Sequence, residues 1–213
     1  MLGSSIGINS LLLGAFALIT TGILALTNAA TADRIKEERL KAQLAALSEI
    51  VPPTFYDNDL VTDGARTIPQ QDLALLNLPE PENLYIATKN ARPVAVIIPT
   101  VGEGYGGGIH MLVGIFADGT LAGVRVTSHT ETPGLGDYIE SRKSDWILMF
   151  DGKSLANPSP EHWDVDKYDG DFDGLTSATI SSRGVIHQVK KALDYFAAQR
   201  PLQTLASAPA ATP

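Results

Sequence analysis

The chain has 213 residues, a length that suits one domain with or without an appendage. Lys and Arg number 16 against 24 Asp and Glu, a net charge of −8 that argues against a nucleic-acid partner, whose phosphates require a basic face. Hydrophobic content of 44% excludes global disorder, and the absence of cysteine excludes protein-held iron–sulfur clusters, disulfides, Cys-based zinc sites and thiol redox chemistry, so any electron carried here sits on an organic cofactor or a haem.

No side chain from position 1 to position 32 is charged, and residues 6–26 form an apolar run slightly longer than the ~20 residues that cross a hydrocarbon core. Ser10, Thr20 and Thr21 can return hydroxyl hydrogen bonds to a helix backbone, and Gly14 and Gly22 leave room for another helix. Residues 1–32 are therefore read as an N-terminal transmembrane anchor. A cleaved signal peptide is the rival, because Ala30-Thr31-Ala32 has the form of a cleavage site. It lacks a basic leading region, and the apolar run exceeds the roughly 7–15 residues of a signal core. Arg34, Lys36, Arg39 and Lys41 follow the span, a bias that by itself puts the C-terminal side in the cytoplasm.

Residues 33–53 read as a juxtamembrane helix, with Ile35, Leu40, Leu44 and Leu47 near one face and Val51-Pro52-Pro53 as the stop. A Pro-, Asp- and Asn-rich stretch follows, with a short helical candidate at 70–78. Strands are expected at 84–88, 93–99, 109–116 and 121–126, the last two joined through Ala117-Asp118-Gly119-Thr120, a strong hairpin signal. Residues 146–150 form a short buried apolar piece. From 177 to 199 Val185, Ile186, Val189, Leu193 and Phe196 recur at helical spacing. The uncharged Ala- and Pro-rich residues 201–213 read as a disordered tail. The fold class is α+β, a small antiparallel sheet with flanking helices on a single N-terminal transmembrane helix.

Three segments could carry chemistry. Gly102-Glu103-Gly104-Tyr105-Gly106-Gly107 fits a dinucleotide fingerprint, but a strand pattern follows where the phosphate-binding helix is required, so a ligand-shaping loop is the better reading. Asp169-Gly170-Asp171-Phe172-Asp173-Gly174 begins like a calcium loop, yet its twelfth position is Ile180. The Asp-rich run from Asp164 to Asp173 is read as a solvated loop or a docking surface. Asp173-Gly174-Leu175-Thr176-Ser177-Ala178-Thr179 leads into the last helix, with Ser177 or Thr179 as the expected N-cap. A helix N-terminus among small residues also favours a phosphate.

This last segment resembles the flavinylation motif D-x-x-(S/T)-G-A-(T/S), and Glu131-Thr132-Pro133-Gly134-Leu135-Gly136 resembles the E-T-P-G-L-G signature of the same flavin domain. With the anchor and the glycine-rich stretch, nearly the whole chain resembles the G subunit of the bacterial Rnf ion-translocating electron-transport complex. The C subunit of the sodium-pumping NADH:quinone reductase is the related alternative, and a non-redox membrane-anchored binding or scaffold module is the alternative from another class. Ser177 stands where the family pattern has Gly.

The resemblance implies that residues 54–200 form a covalent FMN-binding domain. It implies FMN joined by a phosphoester to Thr179, with Asp173, Thr176, Ser177 and Ala178 as motif residues and a separate flavin transferase as the maturation partner. Glu131, Thr132, Pro133, Gly134 and Leu135 would line the flavin. Other members of the membrane complex would be the electron-transfer partners, and the domain would lie on the periplasmic side of the bacterial inner membrane, against the charge bias. No acid–base or nucleophilic machinery is required: His110, His129, His162 and His187 lack metal-ligand spacing, and His129 is read as structural or solvent-facing.

Overall fold

The computed structural model describes residues 2–199, the side chains of residues 2–6, 33 and 35–44 excepted. The tail expected at 201–213, and the helix face expected from Ile35, Leu40 and Leu44, lie outside the described residues. The chain divides into two compact units, Met1–Leu44 and Ala45–Pro213.

The first unit lies within helix α1, Leu2–Ile50. Residues Gly7–Ala32 are long and apolar enough to cross a membrane, with a mean hydropathy of 2.0. Leu11, Phe16, Leu18 and Leu26 stand fully outward, an apolar surface without protein cover. The hydroxyls along it turn inward to the helix backbone: Thr20 donates to Phe16 O at 2.9 Å and Thr27 to Ile23 O at 2.8 Å.

The second unit is built on one five-stranded antiparallel meander: β1 (Ala65–Thr67), β2 (Asn83–Lys89), β3 (Arg92–Glu103), β4 (Gly108–Phe116) and β5 (Leu121–Ser128), in sequence order across the sheet. Alternation on β4 sends Ile109, Met111, Val113 and Ile115 to one face, where helix α2 (Thr179–Gln199) lays Val185, Ile186, Val189 and Leu193. Leu112 joins Leu47, Ile50, Tyr85 and Ile97 on the other face, and Gly114 has no side chain because Ile50 occupies that space.

The structure is the expected α+β fold, with one strand added and one helix removed. Residues 70–78 make only a 3-10 turn at Gln70–Asp72. Leu73, Leu76 and Leu78 are buried at helix-like spacing, but Asn77 adopts φ +54 and its amide donates to Val101 O, while Thr100 Oγ1 donates to Leu76 O. Contacts to β3 thus replace the helix's own hydrogen bonds. Strand β1 is too short and too polar to announce itself.

Two features set the end of the sheet where β3 finishes. Gly102 and Gly184 lack side chains where α2 crosses the end of β3, so the helix start lies directly against that strand. The apolar piece at 146–150, a 3-10 segment at Asp145–Phe150, forms an aromatic cluster in which Phe150 meets Phe172 at 5.2 Å and Phe172 meets Trp163 at 5.0 Å. That cluster anchors the Asp-rich loop. Its Asp164 is no solvated charge: it takes a two-pronged hydrogen bond from Arg183 of α2, both at 2.8 Å, and His187 lies 3.1 Å away. Arg183 holds the Asp164 carboxyl down at about 2.

Candidate functional site

Three segments meet at this end of the sheet. The first is the β3–β4 hairpin loop, residues 104–107, closed by a hydrogen bond from Gly104 N to Gly107 O at 2.8 Å. The glycine-rich stretch is therefore the tip of a hairpin. The second is the loop after β5. Its backbone turns at Gly134, with φ +78, while Leu135 N–H and Gly136 N–H both donate to Thr132 O. The third is the turn before α2, where Ala178 N–H donates to Leu175 O at 3.0 Å.

Between them lies a cavity of about 480 Å3, walled by Tyr105 from the hairpin, Glu131, Thr132, Leu135 and Gly136 from the second segment, and Ser177 to Ser181 from the third. Of the residues expected around a flavin, Glu131, Thr132, Leu135, Ser177, Ala178 and Thr179 stand on this wall. Pro133 and Gly134 form the exposed crest of their loop, off the wall. Asp173 and Thr176 are exposed and also off it; the Asp173 carbonyl accepts the Trp146 indole N–H at 2.7 Å, which fixes the segment ahead of the turn.

Tyr105, Gly136, Ile180 and Ser181 complete the wall, beyond the site residues that the sequence suggests. Tyr105 carries a signal, lying in the glycine-rich stretch read as ligand-shaping. Ser181 carries none, being one hydroxyl among several at the start of a helix.

The capping differs from expectation. α2 begins at Thr179, and neither Ser177 nor Thr179 caps it. Ser182 instead braces the turn ahead of the helix: its hydroxyl accepts from Leu175 N–H at 2.9 Å and donates to Ala178 O at 3.1 Å. The Thr179 hydroxyl consequently has no hydrogen-bond partner among the described residues, and it is half-buried on the cavity wall. The opening backbone N–H groups of α2 point the same way as any helix N-terminus, toward an anion. Ser177 adopts φ +68, the left-handed region where glycine is at ease. That conformation suits the Gly that the resembled flavinylation motif carries at this position.

Charges tie the second segment into one piece. Gly134 N–H donates to Asp137 Oδ1 at 2.8 Å, Lys143 Nζ sits 2.7 Å from Asp137 and 3.0 Å from Glu140, and Glu140 meets His129 Nε2 at 2.9 Å. His129 Nδ1 accepts from Glu131 N–H at 3.0 Å, so His129 is structural. The Lys143 ammonium, with the Gly134 amide, holds the Asp137 carboxyl below its ordinary value. Burial pushes Glu140 up, but hydrogen bonds from His129 and Lys143 outweigh it and leave the group lowered.

Comparison with known proteins gives this geometry its family. Residues 104–194 match the FMN-binding domain and residues 1–50 match the RnfG N-terminal region. The G subunit of the ion-translocating oxidoreductase complex of Pseudomonas aeruginosa (strain UCBPP-PA14) is 45% identical over 193 residues, spanning 90% of this chain and 89% of the relative. The chain belongs to the RnfG family. Its counterpart in Shewanella loihica is 42% identical over 203 residues, 95% of this chain and 93% of its own, and that of Vibrio cholerae (strain O395) is 41% identical over 188 residues, 88% of each. Every residue on the cavity wall, from Tyr105 to Ser181, falls inside the FMN-binding match. The RnfG N-terminal match covers α1.

Proposed function

We propose that this chain is the flavin-bearing electron carrier of an Rnf-type ion-translocating oxidoreductase, with FMN held by a phosphoester on Thr179 Oγ1. One observation carries the reading: within an FMN-binding domain, a half-buried, unpartnered hydroxyl stands on a cavity wall at a helix N-terminus. The other hydroxyls nearby are less suited. Ser181 and Ser182 are engaged and buried, Thr132 and Ser177 stand on the wall but are exposed and precede the helix, and Thr176 is exposed and off the wall.

The residues fit the group. A 480 Å3 cavity lies in the range that takes a cofactor, and the left-handed turn at Ser177 lets small residues, Ser177 and Ala178, precede the acceptor. Bound FMN supplies reversible electron acceptance, which no side chain of a cysteine-free chain provides. Thr179 fixes the phosphate and the α2 N-terminus offsets its charge. Leu135 and Tyr105, both exposed at the cavity, would offer apolar surface to a ring. Thr132, Ala178 and Glu131 complete that lining, with Pro133 and Gly134 at the exposed crest of the same loop, and Asp173 and Thr176 are the outer motif residues a flavin transferase reads during attachment. Attachment joins Thr179 Oγ1 to the flavin's phosphorus; relative to free FMN and the free hydroxyl, one water is lost.

Residues 1–32 anchor the chain in the bacterial inner membrane, with 33–53 as a juxtamembrane helix and the flavin domain, 54–200, on the periplasmic side. The other members of the complex deliver and accept the electrons. A C-terminal reporter fusion tests the orientation: activity confined to the cytoplasm overturns it. In-gel flavin fluorescence of the denatured full chain, co-expressed with a flavin transferase, tests the attachment. Fluorescence is expected in wild type and absent in Thr179→Val, which keeps the volume and removes the hydroxyl; a fluorescent Thr179→Val chain refutes the assignment.

A further inference from the structure

The Glu131 carboxylate is buried, with 6% of its surface exposed. Its Oε1 accepts from Gly106 N–H of the hairpin loop at 3.0 Å, and its Oε2 accepts from the Ser181 hydroxyl in the first turn of α2. One neutral donor thus reaches each carboxyl oxygen, one from the hairpin loop and one from α2. No Lys, Arg or His pairs with Glu131 among the described residues. The space around it is made for it, because a Cβ on Gly104 would strike Oε1 and a Cβ on Gly136 would strike Oε2. A carboxylate so enclosed and without a counter-cation is costly to keep, and neutral donors alone compensate it. It stands on the same wall as Thr179.

We propose that Glu131 is a positioning residue that sets the flavin's reduction potential: its negative charge in the cavity wall, held by neutral donors and paired with no described cation, disfavours the added electron and pushes the potential down. The inference rests on the flavin reading above. A charge in a poorly solvated wall acts on a neighbouring charge far more strongly than one in water, and salt screens it much less. The flavin therefore passes an electron on more readily than it would free in solution. Glu131 also fixes where that charge stands, because it joins all three segments of the site at once.

The test is a mediated redox titration of the flavinylated full chain in detergent, with wild type, Glu131→Gln and Glu131→Asp. Removing the charge in E131Q is expected to raise the ratio of reduced to oxidised flavin at least tenfold at a fixed ambient potential, about 59 mV positive for a one-electron step. E131D retains the charge and is expected to stay close to wild type, a rescue that a merely structural role does not give. Wild type itself is expected to titrate below free FMN in the same buffer, with the difference preserved from low to high salt. Where E131Q takes up no flavin, this wild-type comparison decides. An E131Q potential equal to wild type, or a wild-type potential at or above that of free FMN, overturns the proposal while leaving the attachment intact. A wild-type chain that takes up no flavin at all overturns the attachment reading itself.

Discussion

The two ends of the sheet offer an instructive pair. At one end the β3–β4 hairpin loop, the loop after β5 and the start of α2 enclose about 480 Å3. At the other, the β4–β5 turn, Leu155 and the last turns of α2 enclose a larger depression of about 650 Å3, lined by Pro93, Leu193 and Phe196. Size favours the second. Its polar chemistry is finished, however: Asp118 accepts from the Thr120 amide at 2.9 Å and the Thr120 hydroxyl at 2.7 Å, closing the turn on itself. Among the described residues, the smaller cavity keeps the Thr179 hydroxyl without a partner, a carboxylate without a cation and the electropositive end of a long helix. Unfinished polar groups, rather than volume, mark the place built for a ligand.

Substitutions at the two ends should separate them. The largest effect is expected from Thr179→Ala, with complete loss of flavin measured by absorbance of the purified chain, while Phe196→Ala at the far end leaves flavin content unchanged; equal losses would break the contrast. Gly136→Ala places a methyl against the Glu131 carboxylate and is expected to lower unfolding free energy by about 2 kcal/mol, read from urea melts of the apoprotein. Gly119→Ala in the far turn meets nothing within 4 Å and should cost less, through its φ of +88 alone.

Acid stability sharpens the role of the Asp-rich loop that pairs with the start of α2. Arg183 lowers the Asp164 carboxyl from 3.8 to about 2, so its contribution is complete above pH 4 and lost as pH falls through 2. Asp164→Asn should remove that slope and, with solvent screening, cost about 1 kcal/mol at neutral pH, checked by melts across the acid range. The smallest effect concerns Ser177. Relief of the left-handed strain in Ser177→Gly, less the entropy glycine loses on folding, should stabilise the chain by about 0.5 kcal/mol without lowering flavin uptake.

The sequence disclosed elements whose pattern is local. The Asp118-Gly119 hairpin, the apolar alternation of β4 and the spacing from Val185 to Phe196 all appear in the fold within a few residues of expectation. Residues 70–78 misled because their leucines repeat at helical intervals while serving contacts to β3 that only the tertiary structure supplies. The two motifs named most of the cavity wall, since each segment is continuous in the chain. What stayed hidden depends on distance across the fold. Ser181 matters because Glu131, fifty positions away, reaches it, and Tyr105 because a hairpin tip folds beside a helix start. The brace from Ser182 to Leu175 was equally illegible, because it follows from how the turn at Ser177 is bent.

The central claim is most directly tested by intact mass and peptide mapping of the full chain co-expressed with a flavin transferase. The account predicts an increment of one FMN less one water, confined to the peptide that contains Thr179. An unmodified mass, or an increment that maps to another peptide, contradicts it.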